Sequence, residues 1–345
     1  GGGLGRVRDH HHGCCGVSRI LRLGFDLFAL MSKGKRVFVT GSTGCIGTHA
    51  VDLIMEEGAE VFGFNRSAPL DLSGKSLYHY IKGDLADQQS LKAALEEARP
   101  THILHLGALQ TPDCRDYPMR GMEVNLMGTA LLFKACSDMQ LPLERFVFAS
   151  SSAVNGPRSL YGPEGVRPED PYQPFNLYGY WKIAGEGMAQ AFQQATQVPT
   201  VSLRLATTYG PGRDRGFTAA MTSAIKAVVK SESYEIPYRG RENYHFSLDV
   251  GAGFARATLD PFSGYGVYNL LGETRSVDEF IALLGEEADQ FGLCADLIAY
   301  AEDAEETPFI YDLNDDATRS AFPSMPNTSL QAGIRASIQF FQAEN

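Results

Sequence analysis

The stretch VFVTGSTGCIGTHA, residues 37–50, constrains this chain more than any other. A β-branched and aromatic run meets glycines at 41, 44 and 47, and apolar residues at helical spacing follow. A strand that enters a helix through so short a turn needs Gly41 for the turn itself. Gly44 lets backbone come close to a ligand, and Gly47 lets the helix pack tightly on the strand. The first turn of such a helix carries free N–H groups and a partial positive charge, which suit a phosphate. Three glycines alone are a weak signal; set between a strand and a helix they point to a βαβ unit that holds a dinucleotide. The competing reading is a turn that serves packing only.

The alternation continues down the chain. RVFVT (36–40), EVFGFN (60–65), YHYIKGD (78–84), HILHLGA (102–108), RFVFASS (145–151) and TVSLRLA (200–206) read as strands. Helical spacing covers 45–58, 90–98, much of 115–139 and about 174–194. Strands separated by helices imply right-handed crossovers and a parallel sheet covered on both faces. Residues 207–250 are rich in Gly and Arg and read as irregular. SVDEFIALLGEEA (276–288) begins with Ser276 and Glu279 spaced as a capping box and reads as a helix. The expected organisation is a dinucleotide-binding domain with the catalytic residues over 31–206, and a smaller, mainly substrate-binding lobe over 207–345 that partly returns to the first body.

The formal net charge of −11 argues against nucleic acid or an anionic membrane as the main partner. Six cysteines, at 14, 15, 45, 114, 136 and 294, form no C-x-x-C, so neither a zinc framework nor a disulfide scaffold is indicated. Reduced thiols and a cytoplasmic location are the expectation. Residues 1–30 differ in composition from the rest, and MSKGKRVFVTG from Met31 resembles a natural start. The apolar part of that extension is interrupted by Arg22, Gly24 and Asp26, a poor signal-peptide core and too short to span a membrane. Its His10, His11, His12, Cys14 and Cys15 offer metal ligands, but a disordered or non-native extension is the preferred reading; no metal is expected.

Further along, NLYGYWK (176–182) places Tyr178 four residues before Lys182, on one helical face. FASSSAVNG follows the fifth strand, and NLMGT spans 125–129. The ordered set of glycine loop, KGDLAD, HILHLGA, NLMGT, FASSSAVNG, Tyr-x-x-x-Lys and TTYGPG resembles the extended short-chain dehydrogenase/reductase superfamily over about 35–300, and within it the NAD-dependent epimerase/dehydratase branch. The resemblance implies a Rossmann-type doubly wound α/β fold and a homodimer formed through the long helices. It implies a dinucleotide held by Gly41, Thr43, Gly44, Cys45, Ile46, Gly47, Asn65, Arg66, Asp84, Leu85, Leu106, Gly107, Ala108 and Lys182. It also implies catalysis by Tyr178 and Lys182, with Ser151 (Ser152 the alternate) on the substrate oxygen. Asn125 either supports the active site or only shapes its helix. Trp181 is left open as lid, dimer contact or core.

Lysine's charge is expected to lower the phenol's pKa from ~10, so that Tyr178 takes a proton from a substrate hydroxyl while hydride leaves the same carbon. At the end of the second strand, NAD-specific relatives carry an acid that repels a 2′-phosphate. Asn65 and Arg66 stand there instead, which tilts the expectation to NADP over NAD. Three departures bear on the substrate. Ala153 replaces the acid of the 4,6-dehydratases, which disfavours water elimination. Thr207 replaces an asparagine, and Glu242 aligns with the arginine that meets a sugar nucleotide's diphosphate; Arg239 or Arg241 serves instead only if the loop shifts. The expected function is therefore NAD(P)-dependent oxidation or reduction of a sugar, sugar acid or similar small polyol, with PGRDRG (211–216) as a possible anion loop. The alternatives are a nucleotide-sugar 4-epimerase and, less favoured, a non-catalytic NADP-binding sensor.

Overall fold

The computed structural model describes residues 32, 34–69, 75–307 and 310–344. The reading of residues 1–30, with its candidate metal ligands, lies outside them.

Strand β1 (Arg36–Thr40) leads through the glycine turn into helix α1 (Cys45–Glu56). Then come β2 (Glu60–Asn65), β3 (Tyr78–Lys82), α2 (Gln88–Ala98) and β4 (His102–His105). The region expected as one long helix is divided: α3 (Thr111–Asp116), α4 (Pro118–Gly121), a π-helical stretch (Met122–Gly128) and α5 (Thr129–Asp138). Pro118 cannot continue the ladder from α3, so the break falls at Tyr117. β5 (Arg145–Ser151), α6 (Leu177–Thr196) and β6 (Thr200–Leu205) follow as read from the sequence. Asn176 caps α6 by accepting from the Gly179 N–H at 3.0 Å.

The seven-stranded sheet has the order β10-β6-β5-β4-β1-β2-β3, every pair parallel. Its central strands are buried on both faces: Val37, Phe38 and Val39 of β1 and Phe146, Val147 and Phe148 of β5 are all nearly inaccessible. The order reverses at β1, between β4 and β2, and α1 starts there. In such sheets the crevice at the strands' carboxyl ends is where a ligand settles.

Residues 207–250 are far from irregular. They hold β7 (Thr207–Tyr209), α7 (Ala220–Lys230), β8 (Tyr234–Arg239), β9 (Arg241–Phe246) and the first turn of α8 (Ser247–Leu259). β10 (Tyr265–Asn269) then completes the large sheet against β6. β11 (Glu273–Ser276) pairs with β9, which also pairs with β7. α9 (Val277–Gln290) begins with the expected reciprocal bonds between Ser276 and Glu279. β12 (Ile298–Glu306) pairs with β8, and α10 (Asp316–Ala321) and α11 (Leu330–Glu344) close the chain. A separate apolar cluster, with Tyr209, Ile225, Tyr244, Phe280 and Ile334, fills the space between these later elements.

Candidate active site

The glycine turn has the shape that close packing dictates. Gly41 sits at φ +73°, and a Cβ there would lie 2.9 Å from the Gly107 nitrogen. A Cβ on Gly47 would lie 2.2 Å from the Gly41 carbonyl oxygen. One on Gly44 would meet only that same carbonyl, at 3.4 Å, so the loop's outer face is open. No side chain caps α1, and no acid occupies its first turn. The first-turn N–H groups of Cys45, Ile46 and Gly47 therefore lack intrahelical acceptors and remain available to an anion. These features fit a dinucleotide's pyrophosphate.

The end of β2 differs from expectation. Asn65 is buried, and its amide is spent on the loop: Nδ2 donates to Ser42 Oγ at 2.5 Å, and Oδ1 accepts from the Thr43 N–H at 3.5 Å. Arg66 is exposed, and its charge acts on Asp84. Asp84 ion-pairs with Arg120 and accepts from the Ala86 N–H at 2.9 Å. Leu85, Leu106 and Gly107 surround the exit of β4, where the Gly107 N–H donates to Thr40 Oγ1 at 3.0 Å; Ala108, beyond them, is exposed.

α6 carries the tyrosine and the lysine. Lys182 is buried; its Nζ donates to the Ala149 carbonyl at 2.6 Å and lies 5.5 Å from the centre of the Tyr178 ring. Burial lowers its pKa to about 8. The expected acidification of Tyr178 does not follow. Burial pushes the phenol up to about 12, against the downward pull of a hydrogen bond from Ser151 and of the Arg213 charge. Desolvation outweighs that hydrogen bond and the Arg213 charge, so at neutral pH this phenol holds its proton. Ser151 Oγ also accepts from the Ala153 N–H at 3.1 Å. Ser152, the alternate, sits in the 3-10 turn that follows.

Asn125 lies in the π-helical stretch and is buried. Its Oδ1 accepts from the Leu109 N–H at 2.7 Å while Nδ2 donates to the Leu109 carbonyl at 2.9 Å and to Cys114 Sγ at 3.3 Å. The side chain thus ties the segment after β4 to the π-helical stretch. Trp181 is core. It is 8% exposed, and its ring stands where a Cβ on Gly121 would lie, 2.6 Å away.

One group falls in the PGRDRG stretch read as an anion loop, and a second was not singled out from sequence. Arg213, in the loop after β7, donates to Thr218 Oγ1 at 2.9 Å and acts electrostatically on both Cys45 and Tyr178. The neighbouring Pro211 carbonyl lies 3.2 Å from His49 Nε2 on α1. The second is a buried network behind α6. Arg204 Nε and Nη2 donate to the two oxygens of Glu186 at 2.8 and 2.9 Å, while Ser150 and Tyr172 donate hydroxyls to the same carboxylate at 2.5 and 2.8 Å. Thr207, standing where the resembled family has a substrate-contacting asparagine, is buried, with its hydroxyl donating to Glu242.

With this geometry in place, comparison with known proteins is informative. Residues 37–270 match the model of the NAD dependent epimerase/dehydratase family. The chain belongs to that family. Among curated epimerase/dehydratase relatives, UDP-glucuronate 4-epimerase 6 of Arabidopsis thaliana is 27% identical over 89% of this chain and 72% of its own length. Others match over 43–52% of their own length. The structure of MoeE5 in complex with UDP-glucuronic acid and NAD superposes with TM-score 0.76 and 25% identity, covering 90% of this chain and all of that one. UDP-glucose 4-epimerase of Thermus thermophilus in complex with NAD gives 0.74 and 27% over the same shares. The Rossmann-type α/β fold and an NAD-dependent enzyme of extended short-chain dehydrogenase/reductase type are thus established for this chain. The tilt toward NADP finds no support: the family is NAD-dependent, these neighbours hold NAD, and the Asn65 amide is tied to the loop. No helix among the described residues is long and apolar enough to cross a membrane.

Proposed function

We propose that this chain carries out NAD-dependent oxidation and reduction at a hydroxyl-bearing carbon of a sugar, with Tyr178 as the acid/base. The observation that carries the reading is the convergence of Tyr178, Ser151 and Lys182 at the carboxyl ends of β5 and β6, beside an open glycine loop. When bound, NAD supplies a reversible hydride acceptor. Gly41, Thr43, Gly44, Cys45, Ile46 and Gly47 would hold its phosphates, with Asp84, Leu85, Leu106, Gly107 and Ala108 along the adenosine side. Ser151 orients the substrate oxygen. Tyr178 moves the proton at its own oxygen, and the Lys182 cation lowers the cost of a transient phenolate. Asn125 positions the segment after β4. We assign residues 31–206 to cofactor binding and catalysis and most of 207–345 to the substrate.

The relatives support epimerisation of a sugar nucleotide as the net reaction, and Ala153 in place of an acid disfavours dehydration. One observation favours the second reading, a sugar without a nucleotide: the buried Thr207–Glu242 pair. We also infer a homodimer, since Tyr117, Met119, Met127, Leu177 and Tyr180 expose apolar surface on the helices around the site. An epimerase of this kind co-purifies with dinucleotide and shows no net absorbance change at 340 nm, whereas a dehydrogenase changes it. For either net reaction, Tyr178→Phe with more than a tenth of parental turnover on an identified substrate removes the assignment.

A further inference from the structure

The loop over 210–216 leaves β7 and crosses back to the glycine turn. At its start the Gly210 N–H donates to Thr222 Oγ1 on α7 at 3.1 Å. The Pro211 carbonyl then meets α1, 3.2 Å from His49 Nε2 and 3.7 Å from Cys45 Sγ. Gly212 rests on the first residue of that helix: a Cβ on it would lie 3.6 Å from both Cys45 Cα and Cys45 Sγ. Asp214 is pinned to Lys226 on α7 by an ion pair. Gln110, in the segment after β4, holds the loop from the other side. With its amide oriented to suit these neighbours, Oε1 accepts from Arg213 Nη1 at 3.2 Å and Nε2 donates to the Arg215 carbonyl at 3.3 Å. The loop is thus a strap between α1 and the segment after β4, the two elements that flank the glycine turn.

Arg213 is the cation this strap carries. Two neighbours fix its guanidinium: Nη2 donates to Thr218 Oγ1 at 2.9 Å, and Nη1 donates to Gln110. Nε is buried and has no hydrogen-bond partner among the described residues. No carboxylate among those residues answers the charge. Asp214, next in sequence, belongs to Lys226, and the groups that act on Arg213 are the Cys45 thiol and the Tyr178 and Tyr238 phenols. A half-buried guanidinium with an idle N–H and no counter-charge stays unsatisfied until an anion completes it. Its planar fork matches phosphate oxygens. Cys45 opens α1, so the strap sets this cation beside the free N–H groups of the helix's first turn. Backbone donors and a charged fork, both seeking an anion, come to one place from two separate elements.

We propose that Arg213 is a cofactor-retaining residue: carried on the 210–216 strap, it completes the dinucleotide's pyrophosphate site opposite the first turn of α1. The helix end supplies backbone donors, and Arg213 supplies the charge that the glycine loop itself lacks. The inference rests on the reading that the glycine loop takes the pyrophosphate, and it adds what closes over it. It also gives the strap a part in the proposed chemistry. An enzyme that oxidises and then re-reduces one carbon has to keep its reduced dinucleotide between the two hydride transfers.

The test is calorimetric titration of the full chain, stripped of nucleotide, with NAD and with ADP-ribose, which keeps the pyrophosphate and lacks the nicotinamide. In Arg213→Gln the Kd for both probes is expected to rise at least tenfold, and Arg213→Lys, which restores the charge, is expected to recover part of the loss. A smaller rise for NAD overturns the proposal. So does a loss for NAD that ADP-ribose does not share, which would put the contact at the nicotinamide end, and so does a lysine no better than glutamine. A Kd for NAD that stays put while that for UDP-glucuronate rises tenfold gives Arg213 to the substrate and overturns the proposal too. Should the variants not fold, the parent decides: hydrogen exchange of the 210–216 amides is expected to slow at least threefold on saturation with ADP-ribose, and a smaller effect overturns the proposal. A parent that binds neither probe would strike the glycine-loop reading instead, and is seen in the first titration.

Discussion

Glu186→Gln is the substitution whose effect follows most directly from the structure. The Glu186 carboxylate takes four hydrogen bonds, two from Arg204, one from Ser150 and one from Tyr172. The side chains of Arg204 and Glu186 are 0% and 2% exposed. Glutamine fits the space, but its NH2 group faces N–H or O–H donors, and the Arg204 charge loses its only ion-pair partner among the described residues. Breaking a buried pair in this way costs about 3–5 kcal/mol. At about 2–4 °C per kcal/mol for a chain of this order, melting should fall by roughly 6–20 °C. Removing both charges, as Glu186→Leu/Arg204→Met, leaves no buried charge unpaired, only the Ser150 and Tyr172 hydroxyls without their acceptor, and should recover part of the loss, a coupling that a double-mutant cycle by thermal and urea unfolding reads directly. The network also bears on catalysis, because Glu186 lies one turn beyond Lys182 and Ser150 directly precedes Ser151. In Glu186→Gln, kcat should fall more than KM changes. A melting temperature within 2 °C of the parent, or a double variant that loses the sum of the two single losses, refutes the reasoning.

Tyr178→Phe should lower kcat by about 10²–10⁴ with little change in NAD affinity, checked by steady-state kinetics and titration. Gly47→Ala should destabilise the chain by ~1–3 kcal/mol or more and weaken NAD binding, because its Cβ would stand 2.2 Å from the Gly41 carbonyl oxygen; denaturant unfolding with and without NAD reads both. Glu242 holds its proton in the fold above the unfolded carboxyl's range, so its contribution is fully present below about pH 4.5 and is lost as pH rises through about 8. Glu242→Gln should therefore gain stability relative to the parent between pH 5 and pH 8, seen as a widening gap in melting temperature. Met127→Glu/Tyr180→Glu should shift the proposed dimer toward monomer in light scattering.

The sheet was legible because its central strands are short, continuous apolar runs that end in glycine or small polar residues. Val37–Val39 and Phe146–Phe148 admit few other placements. The glycine turn and the Ser276–Glu279 capping box were legible for the same local reason: backbone geometry there selects particular residue types. Residues 207–250 were not legible. β7 has three residues, β8 contains Pro237, and β9 buries Glu242, Asn243 and His245, so neither alternation nor apolarity marks them. What folds them is packing against α7, α9 and α11, which no local window contains. The charge state of Tyr178 was misjudged because spacing reveals the lysine but not the burial that opposes it. The Glu186–Arg204 pair went unread for a related cause, since a charged residue in sequence reads as solvent-facing until the partner is known.

The π-helical stretch at Met122–Gly128 has a consequence for how the chain tolerates change. A π turn carries one residue more than the helix on either side needs. Deleting a single residue just before Asn125 would let the rod run straight, with every hydrogen bond of ordinary length. It would also rotate Asn125 by about 100° about the axis, away from the Leu109 peptide group it clasps. The more regular helix would be the less useful one.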